Sequence, residues 1–172
     1  MMELELPLER REVGRLRAGD VLCLSGTLVT ARDRAHARAL ELGCAPVELK
    51  SIYHCGPLVR RARGGWEVVS AGPTTSARME GYMEGMLELF GTTVVVGKGG
   101  FSEKARETLR DRCVYLAFTG GAGALAARAV RRVVEVHWLE LGMPEALWVL
   151  EVKSFGPLVV AMDARGGSLY HR

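Results

Sequence analysis

Short apolar or alternating segments, each closed by glycine, proline or a polar turn, predict strands along most of the chain. Residues 3–8 alternate acidic and apolar side chains around Pro7, which favours an edge strand because proline has no N–H to donate to a second neighbour. Runs rich in β-branched and apolar residues predict the other strands. The predicted extended segments are 3–8, 21–25, 51–60 (broken by Gly56-Pro57), 66–70, 92–96, 114–118, 133–139, 146–152 and 158–163.

Helices are predicted between these strands in the middle of the chain. Thr30-Ala-Arg-Asp33 resembles a capping box with Asp in the role of Glu, and it predicts a helix that runs to about Leu42 and ends at Gly43. Apolar residues at helical spacing predict a second helix over 75–90, and Ser102 is expected to begin a third. A short Ala-rich helix should follow the glycines at 120–123. This alternation, with strand-rich ends, predicts an α/β fold.

Length and composition narrow the class of protein. A chain of 172 residues with 48% apolar and 25% charged side chains can bury one core, so residues 1–172 are expected to form a single domain. The net charge of +3 is too small to indicate binding to nucleic acid or to an anionic membrane. The chain lacks the pattern of a secretory signal or of a membrane span, so we expect a cytoplasmic protein.

Residue usage adds two expectations. The four cysteines show no Cys-x-x-Cys pair and no spacing typical of zinc or iron–sulfur ligation, so no metal site is predicted within this chain. Asn and Gln are both absent and Arg greatly outnumbers Lys. Loss of heat-labile amides is typical of thermophilic proteins, although a GC-rich genome would also produce the arginine bias.

Three short cationic turns carry the candidate chemistry: residues 30–36, 71–82 and 97–105. Each lies where a predicted strand gives way to a helix and combines hydroxyl groups or glycines with one cation, namely Arg32, Arg78 or Lys98. Free N–H groups at helix N-termini favour anions, and arginine offers a bidentate fork for carboxylate or phosphate. Three such turns in a small domain predict a pocket for a small polyanion.

Two of these turns have distinct features. Thr74, Thr75 and Ser76 are consecutive, whereas one N-cap needs a single hydroxyl, and Arg78 follows Thr74 by about one helical turn, so both can face one pocket. Gly97-Lys98-Gly99-Gly100 can form a backbone nest beside a point charge, but it does not match the phosphate-binding P-loop pattern. A turn with a solvated lysine is the simpler alternative for that segment.

Other motifs have simpler explanations. Gly121-Ala-Gly123 with Glu140 resembles a dinucleotide fingerprint, yet only 32 residues follow Glu140, and close helix–strand packing explains the glycines equally well. His36 and His54 are possible acid–base groups, but His36 lies within a predicted helix, where a solvated side chain is expected. No Ser-His-Asp arrangement or nucleophile elbow is present.

Taken in order, these turns resemble the C-terminal domain, or separate β-subunit, of the class I iron–sulfur fumarate hydratase and L(+)-tartrate dehydratase family. The resemblance extends from about residue 4 to residue 170. The matching segments are Gly19–Asp33, Tyr53–Pro57, Gly72–Met79, Gly97–Gly100 and Phe155–Pro157. The sequence departs from the family at Tyr53-His54-Cys55, where similar sequences have Tyr-Tyr-Ala, which leaves the roles of His54 and Cys55 open.

The resemblance implies a swivelling β/β/α-type domain with a mixed central sheet and flanking helices. It also implies a hydro-lyase that acts on a dicarboxylate. Such an enzyme either interconverts fumarate and L-malate, by adding water across the double bond, or dehydrates L-tartrate. Arg32, Arg78 and Lys98, with Thr75 and Gly99 beside them, would bind the substrate carboxylates. Thr74 would be the base, or would only orient the substrate.

The same resemblance implies a partner α-subunit, in an αβ or α2β2 assembly, that ligates a [4Fe–4S] cluster with one open iron. Two alternatives remain: a stand-alone module that binds a nucleotide or another anion, and an inactive structural subunit.

Overall fold

A computed structural model describes residues 1–170 of the chain. The strands are β1 (Met2–Glu5), β2 (Val21–Thr30), β3 (Ser51–Tyr53), β4 (Leu58–Ala62), β5 (Gly65–Ser70), β6 (Val94–Gly97), β7 (Val114–Ala117), β8 (Val130–His137) and β9 (Leu147–Met162). The helices are α1 (Arg10–Val13), α2 (Asp33–Leu42), α3 (Glu80–Phe90), α4 (Glu103–Leu109) and α5 (Gly123–Ala129). Two 3₁₀ turns, Ser76–Met79 and Leu139–Leu141, complete the described elements.

Seven strands form one mixed sheet in the order β1-β2-β3-β6-β7-β9-β8, and β4 and β5 form a separate hairpin. The strands from β1 to β7 in that order pair in parallel, whereas β9 is antiparallel to its neighbours. Because the long β9 pairs with β2 as well as with β7, the sheet closes on itself. The predicted α/β fold with a mixed central sheet and flanking helices is confirmed.

Both faces of the parallel strands are covered. Val94 and Val96 belong to the cluster of side chains that fills the closed sheet, whereas Val95 belongs to a second cluster beneath α2, α3 and α4. All three valines are fully buried. Burial on both faces explains why the predicted strand 92–96 shows a continuous β-branched run in place of alternation.

Four local predictions were incomplete or wrong. The strand predicted at 21–25 continues to Thr30, and the segments predicted at 146–152 and 158–163 are two parts of the single strand β9. The helix predicted over 75–90 begins as a 3₁₀ turn at Ser76. The capping box at Thr30–Asp33 is absent: Arg32 is the N-cap of α2, and its side chain makes no capping bond. The structural reason is that Thr30 still belongs to β2.

Other local predictions from the sequence are confirmed. Gly43 ends α2 in the left-handed conformation, with φ +64°, and the Ser102 side chain caps α4 by accepting a hydrogen bond from Ala105 N. Strand β1 lies at the edge of the sheet, as Pro7 indicated. Within the described residues, no helix has the length and apolarity needed to cross a membrane.

Candidate anion-binding site

The three cationic turns meet at one edge of the sheet. Thr30 of β2 is in register with Tyr53 of β3, which pairs with Val96 of β6, so the carboxyl ends of these parallel strands lie side by side. Arg32 follows the first of these strand ends and Lys98 follows the third. Ligands of α/β proteins bind outside the carboxyl ends of the parallel strands in both open sheets and closed barrels, and this edge is therefore the candidate site.

The segment that carries Thr74 and Arg78 is attached to this edge by its main chain. Thr74 N donates to His54 O at 2.7 Å, and Thr74 O accepts from Lys98 N at 3.2 Å. Thr75 forms a parallel bridge with Lys98, and Ser76 N donates to Lys98 O at 3.0 Å. These bonds place the hydroxyl-rich turn directly beside the lysine turn, although the two turns are distant in sequence.

Two carboxylates of the same chain face the arginines. Asp33 Oδ2 accepts a hydrogen bond from Arg78 Nη2. Burial disfavours ionisation of Asp33, but the hydrogen bond and charge of Arg78 outweigh it, so its pKa lies below the usual value. Glu145 Oε1 lies 3.5 Å from Arg32 Nε, and that nitrogen is buried without a hydrogen-bond partner among residues 1–170. The Arg32 side chain as a whole is 25% exposed, so part of it remains accessible to an incoming carboxylate.

The remaining predicted residues are accessible. Arg78 keeps 47% of its side chain exposed, and Thr75, Lys98 and Gly99 are exposed as well. Thr74 is half-buried between the two turns. Next to Lys98 and Gly99 lies a cavity of about 430 Å³, which also borders Gly120 and Tyr170 and is otherwise mostly apolar. The structure therefore brings the predicted residues to one edge of the sheet.

Glycines permit close approaches at this edge. A Cβ on Gly56 would lie 2.6 Å from Arg32 Nη1, so only glycine lets the guanidinium pass over that turn. Gly99 adopts φ +75°, and its carbonyl oxygen accepts a hydrogen bond from the Tyr115 hydroxyl at 2.6 Å. These contacts hold the two cationic turns in defined positions.

Gly123, at the end of the glycine-rich segment 120–123, allows close packing. A Cβ on Gly123 would clash with Ser70 Oγ, and Gly123 O accepts a hydrogen bond from Ala71 N at 3.0 Å. The strand that follows α5 is β8, which pairs antiparallel with β9 and does not complete a parallel βαβ unit. The resemblance to a dinucleotide fingerprint therefore has no structural counterpart here.

The expectation that His36 is solvated is wrong. Its side chain is fully buried, its Nδ1 lies 2.7 Å from Arg32 O, and its ring stacks on Tyr82 at 5.6 Å between centroids. Burial lowers the pKa of His36 to about 4, and burial likewise lowers the pKa of His54. The sequence missed this because α2 packs against α3 along the side that carries His36.

We expect the buried histidines to make the protein acid-sensitive. A fall in pKa from 6.5 to about 4 on folding means that the unfolded chain binds more protons between these values. His36 should thus cost no stability above pH 6.5, and as the pH falls towards 4 the free energy of unfolding should decrease by about 3 kcal/mol through this group.

Urea unfolding of wild type and His36→Asn between pH 7 and 4.5 measures this pH dependence. The variant should show a shallower loss, whereas His137→Asn, on β8, should keep the wild-type loss. Equal slopes for wild type and His36→Asn would contradict the expectation.

The fold and this edge together define an α/β protein with a candidate anion-binding site built from strand-end turns. Comparison with known sequences specifies the family. The family described as Fumarase C-terminus matches residues 1–172. The L(+)-tartrate dehydratase subunit beta of Escherichia coli K12 is 45% identical over 170 residues, which cover 96% of this chain and 85% of that protein.

Two further relatives indicate the same family. A putative L(+)-tartrate dehydratase subunit beta of Methanocaldococcus jannaschii is 45% identical over 171 residues, covering 95% of this chain and 88% of the relative. A putative fumarate hydratase class I of Geobacillus stearothermophilus is 40% identical over 174 residues, covering 99% of this chain but 34% of the relative. The chain therefore belongs to the family of class I fumarate hydratase and tartrate dehydratase β-subunits, as the motif order predicted.

Several residues of this edge escaped sequence reasoning. Asp33 was interpreted as part of a cap, yet it pairs with Arg78. Glu145 lies in a loop with no recognisable motif and reaches Arg32 only through the fold. Ser76 was grouped with two threonines, but its hydroxyl is buried and lies 2.8 Å from His54 Nδ1. Asp33, next to Arg32 in the Thr-Ala-Arg-Asp segment, and Ser76, in the run of three hydroxyl residues, had a signal in the sequence, whereas Glu145 had none.

Proposed function

We propose that this chain is the β-subunit of a hydro-lyase that interconverts fumarate and L-malate or dehydrates L-tartrate. The observation that supports this most is the gathering of Arg32, Arg78 and Lys98 around Thr74 at one sheet edge. The matched relatives are named for tartrate dehydratase and fumarate hydratase. Each of these substrates carries two carboxylates, and the three cationic side chains offer hydrogen-bond donors to both.

In this proposal the two acidic side chains keep the arginines in position before the substrate binds. Asp33 and Glu145 keep Arg78 and Arg32 close to the sheet edge. Substrate carboxylates then take up the free donors of each guanidinium, in bidentate geometry where the fork allows. Lys98 adds a point charge, and the exposed Thr75 and Gly99 flank it as further contacts for the same anion.

In the proposed reaction these residues stabilise the negative charge that develops during proton transfer. Removal of the C3 proton of malate builds negative charge on the adjacent carboxylate, and donors already in place stabilise it more than water would. Thr74 lies between the arginine and lysine turns, where it either accepts that proton or orients the substrate. A free threonine hydroxyl is too weakly acidic to ionise, so a role as base requires activation by the neighbouring cations or by a partner carboxylate.

The described residues of this chain do not fit an iron–sulfur cluster. Cys23, Cys55 and Cys113 are buried, Cys44 is exposed, and no group of three or more potential ligands occurs within residues 1–170. We therefore place the proposed [4Fe–4S] cluster on an α-subunit. The relative from Geobacillus, in which the matched region is 34% of the chain, has room for such a second part.

A test of the proposed function is dependence on that partner. The purified chain should be folded and colourless and should lack hydratase activity, because residues 1–170 bring no three potential cluster ligands together. Anaerobic co-expression with the α-subunit should give a brown complex that interconverts fumarate and malate or dehydrates tartrate. Ultraviolet absorbance follows fumarate formation, and iron content reports the cluster.

The outcomes separate the alternatives. Activity of the isolated chain would refute partner dependence. An iron-loaded complex that is inactive on both substrates would favour a structural subunit. Tight binding of a nucleotide by the isolated chain would favour the stand-alone module, although the packing of Gly123 gives that alternative no support.

A further inference from the structure

Three contacting side chains, here called the buried connection, lie beneath the three cationic turns. They belong to His36, His54 and Ser76, each of them fully buried. The ring centroids of the two histidines are 5.2 Å apart in an edge-to-face arrangement, and His54 Nδ1 lies 2.8 Å from Ser76 Oγ. None of these residues contributes to the chemistry proposed above, and buried polar groups of this kind need an explanation.

His36 attaches the connection to the Arg32 turn. Because Arg32 O can only accept, the His36 Nδ1 at 2.7 Å must carry the hydrogen. The ring is held between His54 on one side and Tyr82 on the other, with centroid distances of 5.2 and 5.6 Å. The Arg32 main chain is thus hydrogen-bonded to a ring that packs directly on His54.

His54 and Ser76 attach the connection to the other two turns. His54 O accepts from Thr74 N while its ring contacts Ser76, so one residue holds the segment on both sides of Thr75. Ser76 N donates to Lys98 O, and its hydroxyl lies against Gly97, where a Cβ would clash with it. The Thr74–Arg78 segment therefore cannot shift without breaking buried contacts to the lysine turn.

We infer that His36, His54 and Ser76 are positioning residues that fix the Thr74–Arg78 segment relative to Arg32 and Lys98. The inference rests on the proposed function, because the groups they position are the proposed substrate ligands. Hydrogen bonds in a water-free interior hold geometry more firmly than those at the surface. A misplacement of about 1 Å in a reacting group can cost as much as 10²-fold in rate. Burial keeps both rings neutral, which avoids adding charge beside Arg32.

The test replaces His54 in the complex with its α-subunit. Asparagine can place a polar atom near the position of Nδ1, whereas glutamine reaches towards Nε2 and phenylalanine keeps only the ring. We expect His54→Phe and His54→Gln to lower kcat about tenfold with less change in KM, and His54→Asn to stay within about threefold of wild type. Ser76→Ala should match His54→Phe, and the double variant should be no worse than either.

Two measurements separate positioning from folding. Melting temperature and kcat per folded complex should be determined for every variant, because lost stability alone leaves kcat of the folded fraction unchanged. Amide NMR signals of Arg78 and Lys98 in the complex should shift in His54→Phe and Ser76→Ala but remain close to wild type in His54→Asn. The NMR result does not depend on activity, so a wild-type complex that is inactive would refute the proposed function without deciding this inference.

Three results would overturn the inference. The first is equal kcat for His54→Asn and His54→Gln at equal melting temperature. The second is additive losses in the double variant. The third is unchanged amide signals in both His54→Phe and Ser76→Ala. If the histidine variants fail to fold, Ser76→Ala alone decides, since removing one hydroxyl either lowers kcat of the folded complex or leaves it at the wild-type value.

Discussion

Replacing Arg78 or Lys98 by alanine is expected to lower kcat/KM of the complex by roughly 10²-fold or more. In the proposed function each change removes a charge-assisted contact to a substrate carboxylate, worth about 1.5–3 kcal/mol and more once water is excluded. The Arg78–Asp33 ion pair is partly exposed, with side chains 47% and 33% accessible. Exposed pairs contribute little to stability, so the melting temperature should hardly change. Steady-state kinetics and thermal unfolding of the same preparations measure both effects.

Arginines outside the three turns provide the control. Arg60 lies on β4 and pairs with Glu67 at 2.8 Å, and Arg131 lies on β8; both are exposed. Arg60→Ala and Arg131→Ala remove the same charge from the chain without touching the candidate site. They should leave kcat/KM within about twofold of wild type. Similar losses in both groups of variants would mean that the cationic turns are not the substrate site.

Replacing Thr74 by valine is expected to abolish most of kcat while substrate binding survives, if Thr74 transfers the proton. Valine keeps the β-branched shape, and the main-chain bonds of residue 74 to His54 O and Lys98 N do not involve the side chain. The loss would therefore report the hydroxyl alone. If Thr74 only orients the substrate, Thr74→Ser should be nearly silent and Thr74→Val should mainly raise KM.

Proton exchange tests the same step without complete turnover. The wild-type complex should exchange the C3 proton of malate with deuterated solvent, and Thr74→Val should not. A Thr74→Val complex that exchanges this proton at the wild-type rate would rule out Thr74 as the base. The base would then belong to the partner subunit, since Asp33 and Glu145, the carboxylates that face this edge, are already paired with or close to arginines.

The sequence by itself determined the fold class, the family and the residues to examine. Strand patterns, the glycine that ends α2 and the Ser102 cap of α4 are local features, set by side-chain size, backbone freedom and hydrogen-bonding groups within a few residues. The order of the cationic turns is likewise a property of the sequence. These features therefore appeared without knowledge of any long-range contact.

Only the tertiary structure decided which groups meet. Burial of His36, contact of Glu145 with Arg32, and the bond between His54 and Ser76 join residues that are distant in sequence or depend on which helix face is covered. The extension of β2 to Thr30 also required the fold, because pairing with β9 makes these residues a strand and removes the predicted cap. The local sequence pattern specifies backbone conformation over a few residues. The pKa values of the histidines and the relative positions of the three cationic turns depend on neighbours that only folding brings together.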